Sequence, residues 1–180
     1  GLDWQNRDGY LASLKSRYRY DLRREVLPWA DAFEVTAGPP ADMDQAYALY
    51  QRVHARGRRM NVFALPRNVF AAMANSPRFD VLTFTLPGAD APSAVMLSHR
   101  GGEQYTALLV GFDEDLVATH AVYKVALFRT VERARELGAE RVNMAYTAEL
   151  VKKKIGARPQ KTAAFVMLDD LFGAGVLQNL

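Results

Sequence analysis

Three apolar runs in a row, Val81–Leu86, Ala94–Arg100 and Gln104–Gly111, constrain this 180-residue chain more than any other feature. Pro87-Gly88 and Gly101-Gly102 punctuate them, and spacers this short call for an antiparallel meander. The pattern then changes. An acidic loop, Asp113-Glu114-Asp115, leads to a helix expected over 119–137 that stops at Gly138. A strand over 141–146, a short helix over 147–155 stopped by Gly156, and a strand over 161–168 complete the series. The tail 169–180 is weakly patterned and, like residues 1–7, is expected to fray.

The first third of the chain reads as helix, strand, helix, helix. Leu11, Leu14, Tyr18, Leu22 and Val26 recur at steps of three and four, which predicts one amphipathic helix over 8–27, broken by Pro28. Ala32 to Ala37 is a strand candidate closed by Gly38-Pro39-Pro40. Asp42 or Asp44 is placed to cap a helix ending near Gly57, and Pro66 opens another through about Ala74. No internal repeat or linker divides the chain, so one α+β domain over 1–180 is the simplest organisation.

Composition excludes several classes of function. There is no cysteine, hence no disulfide, cysteine nucleophile or thiolate metal site. The three histidines are scattered, without HxH or HExxH spacing, so no metal is expected. A net charge of +3 is too mild for a nucleic-acid stripe and suits an anionic ligand. No apolar run spans a bilayer and no signal peptide is visible, which makes a cytoplasmic address the default expectation. The sequence opens on Gly1 rather than Met, which leaves room for a longer natural protein.

Read in order, these elements resemble the GNAT acyltransferase fold, a mixed, mostly antiparallel sheet flanked by helices. Three stretches add detail. LKSRYRYDLRR at 14–24 and YALYQRVHAR at 47–56 are similar to successive helices of the Fem-type, peptidoglycan-biosynthesis-like branch. ELGAERVNMAYTAELVKKKIGARP at 136–159 resembles that branch's C-terminal signature. The likeness covers roughly residues 8–168, and is to the second of the two GNAT-like halves such proteins contain, so a larger enzyme or a fused domain is implied.

Two departures bear on chemistry. Most GNAT enzymes carry a glycine-rich loop before the long helix, whose N–H groups hold the coenzyme A pyrophosphate. Here residues 113–118 hold three carboxylates and no glycine. Many GNAT enzymes also place a tyrosine, as acid for the leaving thiolate, where this chain has Lys152.

The resemblance implies N-acyl transfer from an acyl-CoA or acyl-carrier-protein thioester to an amine of a small metabolite or amino acid. Direct attack by the amine is expected, because the chain lacks a Ser-His-Asp or Cys-His set. The alternatives are Fem-type transfer from an aminoacyl-tRNA, and a degenerate domain that binds a partner enzyme or carrier without chemistry. Leu109, Val110 and Gly111 are the expected backbone donors to the thioester carbonyl and pantetheine arm; a plain strand end is the other reading. Lys152 is expected to bind donor phosphate or to give up a proton, or else is a solvated lysine beside Lys153 and Lys154. His120 and Asp113 are candidate bases and Tyr146 a candidate proton donor, against ordinary surface, loop and strand-end roles. Arg19 and Arg23, with Arg24 beside them, are placed to grip phosphates or a carboxylate, or form a solvated face.

Overall fold

The structure is a computed structural model that describes residues 2–57 and 64–161. Five strands form one sheet in the order β1-β2-β3-β4-β5: β1 Glu34–Ala37, β2 Phe79–Thr85, β3 Ala94–Gly101, β4 Gln104–Phe112 and β5 Arg141–Asn143. The first four pair antiparallel, as the turn signals require, and β5 joins β4 in parallel. The mixed, mostly antiparallel sheet expected from the sequence is the one observed.

Strand alternation divides the side chains between two cores. Leu82, Phe84, Ala94 and Met96 point to one face, Val81, Val95 and Leu97 to the other. The first face is covered by α7 (Val122–Glu136) and by three short N-terminal helices, α1 Arg7–Ser13, α2 Ser16–Glu25 and α3 Leu27–Ala30. The second is covered by α4 (Met43–Arg56) and α5 (Arg67–Ala74), through Ala46, Leu49, Tyr50 and Phe70. Asp42 caps α4, its carboxylate accepting from the N–H groups of Asp44 at 3.0 Å and Gln45 at 2.9 Å.

Several boundaries differ from the periodicity. The single helix over 8–27 is three pieces, because Leu14 takes an extended conformation (φ −81°, ψ 152°) and Pro28 restarts the chain in the first turn of α3. Leu14 is buried, and the break lets α1 and α2 turn separate apolar faces to one core. The acidic segment is not a loop throughout, since Asp115–His120 form the short helix α6. The helix expected from 119 begins at Val122, after a left-handed Ala121 (φ 49°). β5 ends at Asn143 rather than residue 146, and α8 spans Glu149–Lys154. Residues 162–168, where a strand is expected, and the tail lie outside the described residues. Within the described residues no helix is long and apolar enough to cross a membrane.

Candidate active site

β4 and β5 run together for only three residue pairs, Gln104 with Arg141, Tyr105 with Val142 and Thr106 with Asn143. Two local events then separate them. On β4 the register with β3 shifts between Leu97 and Ser98, whose partners are Leu109 and Ala107, so Leu108 is an extra residue, a β-bulge. The bulge exchanges the strand's faces. Before it, Tyr105 and Ala107 pack toward α7; after it, Val110 and Phe112 do, and Leu109 joins the core under α4. On β5 the Asn143 carboxamide oxygen accepts from the Ala145 N–H at 2.9 Å, turning the chain away. Ala145, Thr147 and Ala148 all hold positive φ, 55°, 64° and 47°. Such conformations cost about 1–2 kcal/mol each for non-glycine residues, and a β-branched threonine there is a marked outlier.

The result is a wedge, closed at Thr106–Asn143 and open beyond it. Among the described residues, the outer edge of β4 from Ala107 to Phe112 has no strand partner. Leu109, Val110 and Gly111 lie on this edge, so alternate N–H groups face the opening. Gly111 has a second constraint. A Cβ there would lie 2.3 Å from the Tyr50 nitrogen and 2.5 Å from the Leu49 carbonyl carbon, so α4 crosses β4 at a point only glycine allows. Apolar side chains stand exposed beside the wedge: Leu108 at the bulge, 42%, and Tyr146 just past β5, 69%.

At the far end of β4 stands the start of α7. Its first-turn N–H groups receive no side-chain cap, which leaves a positive dipole end. Three nearby carboxylates would oppose an anion there, yet two are engaged. Glu114 pairs with Arg56 from the end of α4, and Asp113 Oδ1 accepts from the Asp115 N–H at 3.1 Å. The ion pair offsets one of these charges, and the turn holds the Asp113 carboxylate toward its own backbone.

Lys152 lies on α8 and is the one buried cation among the described residues, at 8% exposure. Its Nζ donates to the main-chain carbonyl of Tyr146. Its neighbours instead point to carboxylates, Lys153 to Glu149 and Lys154 to Asp21. Burial holds the Lys152 ammonium below the usual lysine pKa. Of the readings open from sequence, the solvated helix-end lysine therefore describes Lys153 and Lys154, not Lys152.

The other candidates are dispersed. Tyr146 contacts Lys152 through its backbone while its ring faces solvent. His120 ends α6, with its ring 4.6 Å from that of Trp29 and its Nδ1 2.8 Å from the Thr119 hydroxyl. Neither His120 nor Asp113 hydrogen-bonds to Lys152. Arg19 and Arg23 sit on α2, which packs against α3 and α8. Among the described residues no group of three or more His, Asp or Glu could hold a metal.

Sequence reasoning missed the lock at the closed end. Asp80 of β2 is buried, accepts from Tyr105 Oη at 2.8 Å, and receives Arg133 Nε at 3.0 Å and Nη2 at 3.3 Å from α7. Its signal was present, an aspartate inside an otherwise apolar strand.

The fold agrees with the comparisons. A family model, the acetyltransferase (GNAT) domain, matches residues 16–153. The chain belongs to the GNAT acetyltransferase family, whose members use acetyl-CoA as co-substrate. A Bacillus halodurans protein has a similar structure, with TM-score 0.60 and 14% identity, over 75% of this chain and 99% of that one. An aminoglycoside acetyltransferase from an uncultured soil metagenomic sample, solved with sisomicin, gives 0.55 and 14% over 77% and 98%. A possible acetyltransferase from Clostridium difficile gives 0.55 and 12% over 76% and 97%. At these identities the likeness is one of fold. No curated protein matches the sequence significantly.

Proposed function

We propose that this protein transfers an acyl group from an acyl-CoA thioester to the amine of a small metabolite or amino acid. The observation that carries the reading is the wedge, in which β4 and β5 part after three pairs and leave β4 backbone facing an opening. Of the three expected donors, Val110 presents its N–H to the opening for the thioester carbonyl or a pantetheine amide. Leu109 and Gly111, in step with the Asp113 N–H bonded to the Ser93 carbonyl, turn theirs to β3; the bulge at Leu108 sets this alternation. The uncapped start of α7 suits the pyrophosphate, with Arg56 offsetting Glu114.

In the reaction the amine nitrogen bonds to the acyl carbon, the carbon–sulfur bond breaks, and the sulfur leaves as a thiol. Lys152 is the proton donor to that sulfur. Its lowered pKa brings the ammonium closer to a thiol's, which favours transfer. The hydrogen bond from Nζ to the Tyr146 carbonyl fixes its direction. Asp113 and His120 are the groups available to attract or deprotonate an incoming amine. Arg19 and Arg23 are farther candidates for a substrate carboxylate. The solved relative that holds sisomicin, a polyamine sugar, supports a small amine as acceptor.

Titration with acetyl-CoA tests the reading. Binding to the folded state alone stabilises by about 2.7 kcal/mol at a hundredfold excess over Kd, so the melting temperature should rise. Acetylated product should form with an amine acceptor panel. No rise with acetyl-CoA or longer acyl-CoA would overturn acyl-CoA as the donor.

A further inference from the structure

Charge on this molecule is sharply segregated. Residues 15–25 and 149–161 carry ten of the chain's 23 lysines and arginines but only three of its 20 carboxylates. That is +7 on 24 residues, against +3 for the whole chain, so the remaining 156 residues carry −4. The two segments are adjacent in space. Lys154 Nζ lies 2.9 Å from Asp21 Oδ2, and Asp21, Leu22, Val151 and Ile155 line one shallow hollow between α2 and α8. Lys154 pairs with Asp21, and Lys124 and Arg24 pair with Glu25, leaving Arg17, Arg19 and Arg23 without a carboxylate partner among the described residues.

Apolar anchors stand among these charges. Of six large hydrophobic side chains exposed among the described residues, Tyr20 and Leu150 lie within the two segments and Tyr146 just before the second. Arg24 lies over the Tyr20 ring, 5.6 Å from its centre. Protein-binding surfaces are built this way, with tyrosine, arginine and an aliphatic anchor inside a charged rim. A face that merely held free phosphates would need the cations but not an exposed leucine. The position also matters, because α8 follows β5, one wall of the wedge.

We propose that the α2–α8 face docks an acidic protein that carries the acyl thioester on a tether, an acyl-carrier protein. This rests on the acyl-transfer reading and names the donor's carrier. The chemistry is unchanged: the amine–acyl bond forms, the carbon–sulfur bond breaks, and the carrier's thiol departs with the proton.

The test measures binding of an acetylated holo acyl-carrier protein to the full chain, beside the acetyl-CoA thermal shift. The variant is Arg17→Glu with Arg158→Glu, both on exposed positions. Carrier binding should weaken at least about tenfold while the acetyl-CoA shift is kept, since reversing rim charges slows association. Wild-type binding should also weaken between low and high salt, a readout independent of the variant's folding. An acetyl-CoA shift with no carrier binding overturns the docking and leaves acyl transfer standing. Absence of both ligands overturns both. Equal loss of both in the variant assigns the face to coenzyme A phosphates and overturns the docking. Binding of tRNA in place of the carrier does the same in favour of nucleic acid.

Discussion

The two ends of β4 are built on opposite principles. At the closed end, Tyr105, Asp80 and Arg133 tie two strands and α7 together, and the Glu103 carbonyl accepts from both Glu140 and Arg141 N–H groups, at 2.8 and 3.1 Å. At the open end the ladder has a bulge, three residues of one four-residue stretch are left-handed, and a lysine is buried against a carbonyl. A hydrogen-bonded charge network marks the first, strain and desolvation the second. The difference teaches that the opening is defined from its anchored end. A wedge has a fixed angle only if its apex is rigid.

The largest effect that would break this comparison is expected at Gly111. Valine there would force its Cβ into the backbone of Leu49 and Tyr50, which cannot yield as a side-chain tip can. A loss of about 3 kcal/mol is expected, at the upper end of overpacking costs, read by urea denaturation. A variant as stable as wild type would show that α4 does not press on the open end.

Next is the lock itself. Asp80→Ala leaves the Tyr105 hydroxyl without its acceptor and the Arg133 guanidinium with Glu136 alone. Breaking a fully buried pair costs about 3–5 kcal/mol; Arg133 is a quarter exposed, so about 2 kcal/mol is expected after screening. Acetyl-CoA affinity should fall with it. Unchanged affinity in a folded variant would mean that the apex does not set the opening.

How much of this was legible in the sequence follows the same division. The meander, the Asp42 cap and the strand–helix–strand–helix order were readable because turns, caps and periodicity are local signals. The resemblance placed backbone donors at Leu109, Val110 and Gly111, but the causes of the wedge beside them were not readable. Nothing in Ala107-Leu108-Leu109 announces a bulge, and Ala145, Thr147 and Ala148 are residues that ordinarily avoid left-handed backbone. Tertiary packing imposes both. Gly111 was expected as a backbone donor, and the structure adds α4 as a close neighbour that only glycine admits.

Smaller in free energy, and sharper for function, is Lys152. Lys152→Ala should cut turnover at least about tenfold, some 1.4 kcal/mol in the barrier, while Lys153→Ala, which loses only an exposed pair with Glu149, should not. Equal effects would remove Lys152 from the site. Its pKa gives a second handle. The folded value lies below 10.5, so between the two values the unfolded chain binds more protons and stability rises with pH. Below the folded value the full deficit of burying the charge persists. Lys152→Met should therefore erase a positive slope of stability on the alkaline side, measured by denaturation across that window.

The smallest effect separates the two ends by sign. Thr147 is left-handed at the open end (φ 64°), and Thr106 pairs regularly with Asn143 at the closed end. Glycine at 147 relieves about 1–2 kcal/mol of backbone strain but restores about 0.5–1 kcal/mol of unfolded-state freedom, so Thr147→Gly should be neutral or slightly stabilising. Thr106→Gly gains no relief and loses cross-strand packing, so it should cost about 1 kcal/mol. Paired denaturation curves give the comparison directly. Similar losses at both positions would show that residues 145–148 are not held under strain, and the contrast between an anchored apex and a strained mouth would fail.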